Sequence, residues 1–222
     1  MAELPRYIPG IVSFPARIQE VMKPMTSSAL ILSACLALPA AAQQHYAIQP
    51  GPGSRMELRV AKTGLYSGKV HIFHFPSFRG ALTYDAAHPQ TSQVRLTLAA
   101  GQIKLADQWL SEKDFKEVQR YALEEMLDAG KYPEITFVSN EIVAMDATRF
   151  KAGGMLTIRG LAKPAVVNVV LISAEQGVLR FEGSAVVRLT DYGLKPPKAA
   201  LGLIGTRNEM DFSFSLAAVP QD

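Results

Sequence analysis

Two histidines lie three residues apart in the segment VHIFHF, and imidazole nitrogen is a common ligand of transition metals. His71 and His74 form the one close histidine pair in the 222-residue sequence. Side chains three positions apart on a β-strand point to opposite faces, which is a poor arrangement for holding one metal ion. A β-bulge could bring them together, with His45 or His88 as a further ligand. The pattern favours structural histidines and keeps a metal site as the weaker alternative.

Two basic side chains lie between two apolar, β-branched runs in MLTIRGLAKPAVVNVVLIS, residues 155–173. Gly160 provides the backbone freedom of a tight turn, and Pro164 fixes the entry into the second run. Arg159 and Lys163 have two interpretations. They keep a tight connection soluble, or they lie at the mouth of a site and donate charge-assisted hydrogen bonds to an anionic head group. The first interpretation is favoured, and both residues are kept as head-group candidates.

Motifs of known catalytic chemistry are not found in the sequence. The stretch GLYSGKV, residues 64–70, has too few residues between its glycines for a phosphate-binding loop and leads into a strand. No G-x-S-x-G or H-E-x-x-H motif occurs. Several acidic residues lie on or near one helical segment and are typical of a solvated face; they are Asp107, Asp114, Glu124 and Glu125. The sequence therefore predicts a protein that is not an enzyme and needs no cofactor.

The basic residues are scattered along the chain. The formal net charge is +3, with 23 Lys and Arg against 20 Asp and Glu. Nucleic-acid binding requires basic residues clustered on one face, so the sequence predicts no nucleic-acid partner.

Alternation of apolar and polar residues is the main structural signal from residue 54 onward, and it predicts strands with one buried face. In SRMELRVAK, Met56, Leu58 and Val60 fall on one side and arginines on the other. Roughly eight short strands at this spacing indicate an all-β sandwich or an up-and-down barrel.

One segment breaks the alternation and predicts an amphipathic helix. Within residues 111–133, apolar residues recur at helical spacing, namely Phe115, Val118, Ala122 and Met126. Ser111 is placed to cap the start, and Gly130 followed by Pro133 is placed to end the helix. Packed across the end of a barrel, this helix would close one mouth.

Large apolar side chains at alternating positions define a candidate interior. A barrel of about eight strands is wide enough to be filled by side chains or to enclose one elongated apolar ligand. The predicted interior residues are Phe137, Leu156, Ile158, Phe181, Phe212 and Phe214. The Gly- and Pro-rich loop, residues 192–209, is predicted to act as a lid through Leu201, Leu203 and Ile204. Taken singly, each of these side chains could instead fill a solid core.

Residues 1–42 are predicted to be an N-terminal extension and a secretory signal peptide. A short apolar run ends in Ala40-Ala41-Ala42, so cleavage is expected after Ala42. Translation is then expected to start at Met22 or Met25 instead of Met1. The expected location of the mature protein is the bacterial periplasm. As a lesser alternative, LSAC is similar to a lipoprotein box in which Cys35 is lipidated.

Three motifs in a fixed order resemble the YceI-like family of bacterial polyisoprenoid-binding proteins. They are KYPEITFVSNEI (131–142), GGMLTIRGLAKPAVVNVVL (153–171) and RLTDYGL (188–194). The resemblance covers roughly residues 46–218. It implies a lipocalin-like antiparallel barrel, exported to the periplasm, with an isoprenoid tail inside and a quinone or prenyl-phosphate head group near the mouth.

The residues and the resemblance together predict one YceI-like β-barrel domain over residues 43–222. We expect a carrier or store for a long apolar lipid, an isoprenoid of polyprenyl or quinone type, with transient membrane contact. The alternatives are a metal- or haem-associated redox accessory protein using His71 and His74, and a structural barrel acting through a protein partner. The oligomeric state is left open, with a dimer among the options.

Overall fold

The structure, a computed structural model, describes residues 43–221. The predicted signal peptide, its cleavage point after Ala42 and Cys35 lie outside the described residues. Within them the chain forms strands and one α-helix. The strands are β1 (Gln44–Ile48), β2 (Arg55–Gly64), β3 (Val70–His74), β4 (Phe78–Tyr84), β5 (Gln93–Ala99), β6 (Lys104–Leu105), β7 (Glu134–Ala144), β8 (Arg149–Ile158), β9 (Leu161–Glu175), β10 (Val178–Arg188), β11 (Lys198–Ala199), β12 (Ile204–Thr206) and β13 (Glu209–Pro220).

Eight strands form a closed antiparallel ring in the order β1-β4-β5-β7-β8-β9-β10-β13. β1 closes the ring because it pairs with β4 on one side and with β13 on the other, so that Ile48 lies opposite both Gly80 and Ala218. The predicted all-β, lipocalin-like barrel of about eight strands with one helix is confirmed.

The remaining strands extend the wall at one end of the ring. β13 pairs with β1 near its own C-terminal end and with β2 nearer its start, where Phe212 lies opposite Leu58. β3 pairs with β2 and with β6, while β12 pairs with the last residues of β2 and with β11. The β2–β3 hairpin and the β11–β12 segment therefore lie side by side at this end.

The seam between β9 and β10 is incompletely paired. Residues 168–175 of β9 lie in register with β10, whereas residues 161–167 have register partners only on β8. Pro164 lies in this stretch, and proline has no N–H to donate to a neighbouring strand. The side chain of Tyr192 fills part of the gap, because its hydroxyl donates to the Leu156 carbonyl oxygen at 3.4 Å.

The helix α1 (Glu112–Tyr121) continues into a π-helical turn, Ala122–Met126. The Ser111 hydroxyl oxygen accepts a hydrogen bond from the Asp114 amide at 3.1 Å, which confirms the predicted N-cap. The predicted ending at Gly130 is wrong. The left-handed residue is Asp128 (φ 47°), and the Ala129 amide already donates to the Leu123 carbonyl oxygen at 2.9 Å. No helix within residues 43–221 has both the length and the apolarity needed to cross a membrane.

Side-chain hydrogen bonds hold the helix across the end of the barrel. The Gln119 amide group accepts from the Leu105 amide at 2.6 Å and donates to the Ile103 carbonyl oxygen at 3.0 Å. At the far end, Arg159 donates to the carbonyl oxygen of Glu125 at 2.8 Å. Arg159 and Gly160 both have positive φ and form the two-residue β8–β9 turn, with Ile158 opposite Leu161. The Arg159 guanidinium is thus used to anchor the end of the helical segment.

We predict that Arg159→Met lowers the free energy of unfolding by about 1–2 kcal/mol, because the carbonyl groups at the helix end lose a charged donor. Lys163→Met, on the same hairpin, is the control and should change it by less than about 0.5 kcal/mol. Urea unfolding of both variants measures the difference. Equal losses would show that Arg159 does not anchor the helix.

Candidate functional site

The barrel encloses a cavity of about 720 Å³ with a predominantly apolar lining. All six residues that the alternation assigned to the interior line it; they are Phe137, Leu156, Ile158, Phe181, Phe212 and Phe214. The helical segment adds Val118, Ala122 and Met126. The predicted set is therefore brought together on one surface, and its binding of a ligand stays a prediction.

Two glycines shape the aromatic part of this wall. A Cβ on Gly183 would lie 2.3 Å from the ring of Phe214 and 2.6 Å from the Asn168 carbonyl oxygen. A Cβ on Gly154 would lie 2.8 Å from the ring of Phe137. Both rings therefore lie closely against the neighbouring strand, which leaves the centre of the barrel open.

The predicted lid divides into an inner and an outer part. Ile204 lines the cavity together with Thr206, two positions along β12. Leu201 and Leu203 are 106% and 59% exposed and are not part of the lining, so their predicted role over the cavity does not match their position. Leu201 adopts a left-handed conformation (φ 54°) in a short 3₁₀ turn, outside the alternation of a strand.

A buried histidine and carboxylate lie at the β2–β3 end of the cavity. His71 Nδ1 and Asp107 Oδ2 are 2.5 Å apart, and Asp107 Oδ1 accepts from the Ile72 amide at 2.8 Å. The Asp107 side chain is 0% exposed. The expectation that Asp107 belongs to a solvated face is therefore wrong: the β3–β6 pairing draws the following segment inward, against β3. Burial lowers the pKa of His71, and the hydrogen bond that the imidazole donates to the Asp107 carboxylate opposes this shift only in part.

Trp109 forms an aromatic wall beside this pair. Its indole stacks on the His71 ring, with centroids 5.3 Å apart, and its N–H donates to the Val70 carbonyl oxygen at 3.1 Å. Tyr66 meets the same indole edge-on, and the Lys69 ammonium lies over the indole ring, 5.6 Å from its centroid. His71, Tyr66 and Trp109 all line the cavity, so this end combines aromatic faces with polar groups.

Lys62 is the cation of this polar end. It lies on β2, is half-buried and lines the cavity. Its ammonium donates to the Thr206 hydroxyl at 3.4 Å. Burial lowers the pKa of Lys62, while the charge of Asp107 acts in the opposite direction.

The mouth of the cavity lies between the helix and the loop that carries β11. Asp114, Glu117 and Tyr121 of α1 are exposed and also line the cavity, as do Pro197 and Lys198 of the loop. The rim is thus acidic on the helix side and basic on the loop side.

The two head-group candidates from the sequence take other positions. Arg159 is held at the end of the helical segment and is not part of the cavity lining. Lys163 shares the inward face of β9 with Ala165 and Val167 and is half-buried, yet it also lies outside the lining. Neither side chain contributes to the polar end described above.

The histidine pair points to opposite faces, as the spacing predicts for a strand. His71 is buried at the cavity, whereas His74 is turned away and lies 3.4 Å from a carboxylate oxygen of Glu57. Within residues 43–221, no three His, Cys, Asp or Glu side chains are grouped closely enough to hold a metal ion. The arrangement does not favour a metal shared by His71 and His74.

The family profile of the YceI-like domain matches residues 46–218, which is nearly all of the ring together with the helix. The chain belongs to the YceI-like family.

Relatives and solved structures are similar over most of their length. A UPF0312 protein of Photorhabdus laumondii subsp. laumondii is 28% identical over 188 residues, 80% of this chain and 88% of the relative. A UPF0312 protein of Pseudomonas savastanoi pv. phaseolicola is 28% identical over 149 residues, 63% and 70% of the two chains. Burkholderia cenocepacia BcnA has a TM-score of 0.60 at 19% identity, covering 74% of this chain and 95% of that chain. The Campylobacter jejuni YceI protein has a TM-score of 0.52 at 16% identity, covering 68% and 84%. At these identities the two structures support the fold alone.

The polar end of this YceI-like cavity was missed in the sequence, although one signal for it was present. The inward series of β2, Met56, Leu58 and Val60, continues at the same spacing to Lys62. A lysine on the apolar face of a strand is unusual, because lysine side chains are seldom buried without a partner. Asp107 and Trp109 carried no comparable signal, because they approach His71 only through strand pairing distant in sequence.

We predict that this YceI-like barrel loses stability as the pH falls through the titration of His71. Because the folded state holds the pKa of His71 below its ordinary value near 6.5, the unfolded state binds the proton more readily. The contribution of neutral His71 to the free energy of unfolding is complete above about pH 6.5. It is lost as the pH falls toward the lowered pKa of the folded state. Urea unfolding between about pH 7.5 and 5 measures it.

Matched glutamine variants isolate the histidine responsible. His71→Gln should reduce the loss of stability on acidification, whatever its effect at neutral pH. His74→Gln, whose side chain is 44% exposed, should leave the slope as in the wild type. A wild-type slope in His71→Gln would contradict the assignment.

Proposed function

We propose that this YceI-like protein binds one long apolar lipid in the barrel and carries or stores it. The observation that carries the proposal is the cavity of about 720 Å³ with its apolar wall. Sites for small molecules range over about 300–1,000 Å³, so the space suits a single ligand. The burial of a hydrocarbon chain there removes apolar surface from water, which is the main source of affinity.

The dimensions of the barrel favour a chain over a compact ligand. β8 has ten residues. At about 3.3 Å per residue and a tilt of about 40°, the interior is about 25 Å long. The family resemblance makes an isoprenoid of polyprenyl or quinone type our proposal for the ligand, and the chain is proposed as a binding protein without catalytic activity.

Export to the periplasm is part of the same proposal. It is supported by the short apolar run and the alanines that precede residue 43. A lipid carrier in that compartment would exchange its ligand with a membrane. The barrel end with the mouth bears Leu65, Leu201 and Leu203 as exposed side chains, and the Leu65 amide donates to the Leu203 carbonyl oxygen at 3.0 Å. Exposed Lys69 and Lys198 lie on the same two loops, which suits an anionic lipid surface.

Native mass spectrometry of the protein after export to a bacterial periplasm, followed by organic extraction, tests ligand and processing together. We expect a mature species that begins at Gln43 and carries a prenyl-chain adduct. A species with a lipidated Cys35 would show that the carrier is anchored to a membrane. A ligand-free species with no extractable lipid would contradict lipid binding and favour the structural barrel with a protein partner.

Two tryptophan substitutions at neighbouring positions test where the lipid lies. Val167 lines the cavity, and Val166 is exposed on the outer face of the same strand. Val167→Trp should abolish or sharply reduce the lipid adduct because the indole occupies the cavity, whereas Val166→Trp should retain it. Equal lipid content in the two variants would show that the ligand binds elsewhere.

The exposed leucines give a separate prediction about exchange with membranes. Leu201→Ser together with Leu203→Ser should slow transfer of a fluorescent prenyl lipid between anionic vesicles by about tenfold, since two apolar side chains no longer enter the lipid surface. Val186→Ser, at an exposed position on the side of the barrel, is the control. Unchanged transfer in the double variant would exclude this end as the membrane contact.

A further inference from the structure

Lys62 is a cation within an otherwise apolar strand face. β2 sends Met56, Leu58 and Val60 inward, and Lys62 occupies the next inward position. Keeping an ammonium group half-buried beside apolar side chains costs free energy unless partners compensate for the lost water.

The protein itself provides Lys62 with little. Its side-chain hydrogen bond is to the Thr206 hydroxyl at 3.4 Å, and no carboxylate in residues 43–221 forms an ion pair with it. Asp107, which is near enough to influence the charge of Lys62, uses its two oxygens on the Ile72 amide and His71. An ammonium group has three N–H donors, so donors remain for a further acceptor in the cavity.

The groups around Lys62 are suited to one end of an amphiphile. Thr206, Tyr66, Trp109 and His71 line the same cavity, while the wall beyond them is apolar. A few converging polar groups in an apolar cavity fix the orientation of a ligand and select its chemistry.

We infer that Lys62 binds a single anionic head group, a phosphate or a carboxylate. This head group belongs to an amphiphile whose chain fills the barrel. The site selects this ligand over a neutral lipid with the same chain. This inference rests on the proposed lipid-binding function and assigns the head-group chemistry within it. Asp114 and Glu117 at the rim do not oppose it, because they are exposed and screened by solvent.

Trp109 provides the readout, since it is the single tryptophan of the chain and lies at the polar end. We would titrate the delipidated full chain with geranylgeranyl phosphate, geranylgeranoic acid and geranylgeraniol and follow the tryptophan emission. The three probes share one chain and differ in the head. At least one anionic probe should bind about tenfold more tightly than the alcohol, the difference expected of a charge-assisted hydrogen bond.

Variants at Lys62 separate the head group from the chain. Lys62→Met should reduce affinity for the anionic probe to that of the alcohol and leave affinity for the alcohol unchanged. Lys62→Arg should keep the preference, which guards against a general effect of substitution at this position. Lys163→Met, on the inward face of β9 but outside the cavity lining, is the matched control and should bind like the wild type.

The outcomes distinguish this inference from the proposal on which it rests. Preference for the phosphate alone, the carboxylate alone, or both would support it and identify the source of the anion. Equal binding of all three probes by the wild type would overturn the anionic site and leave lipid binding intact. If none of the probes bound, both would fail. A preference that persisted in Lys62→Met would also overturn the role of Lys62.

Discussion

Closure of the antiparallel ring is the constraint on which the rest of the structure depends. Once β1 pairs with both β4 and β13, each ring strand must send every second side chain into one enclosed space. Those positions hold large apolar residues, but rings such as Phe137 and Phe214 lie against glycines of neighbouring strands. The interior is therefore apolar without being filled. The helix is needed for the same reason, since an open end would expose that apolar wall to water.

The polar end is compatible with this interior because most of its groups satisfy one another. The Asp107 carboxylate, fully removed from solvent, is held by a backbone amide and an imidazole, and the imidazole is stacked on Trp109. An isolated carboxylate at this depth would be strongly destabilising. Lys62 differs from its neighbours, because the protein provides it with a hydroxyl and no anion at hydrogen-bonding distance. The contrast separates groups that serve the fold from one that is available to a ligand.

The sequence predicted the parts of the barrel that follow a local period. The alternation placed Phe137, Phe181 and the other interior residues on the correct face, and the helical spacing located α1 and its cap. Its failures lie where no period operates. Leu201 and Leu203 are in a loop with left-handed backbone, so apolar character alone did not indicate which way they face. Asp107 is buried by strand pairing with residues more than thirty positions away, which no local pattern reveals. The lipid ligand and the periplasmic location follow from the family resemblance and the N-terminal sequence, and both stay proposals.

The partly unpaired seam between β9 and β10 makes this part of the barrel wall easier to deform. Residues 161–167 of β9 are held by β8 on one side, while their edge toward β10 has no ladder partners. With Pro164 in that stretch, the ladder cannot simply be completed by a small shift of β9. The circumference can widen here at the cost of few hydrogen bonds, while the paired strands opposite keep their register. The barrel can therefore adjust its circumference to ligands of different thickness.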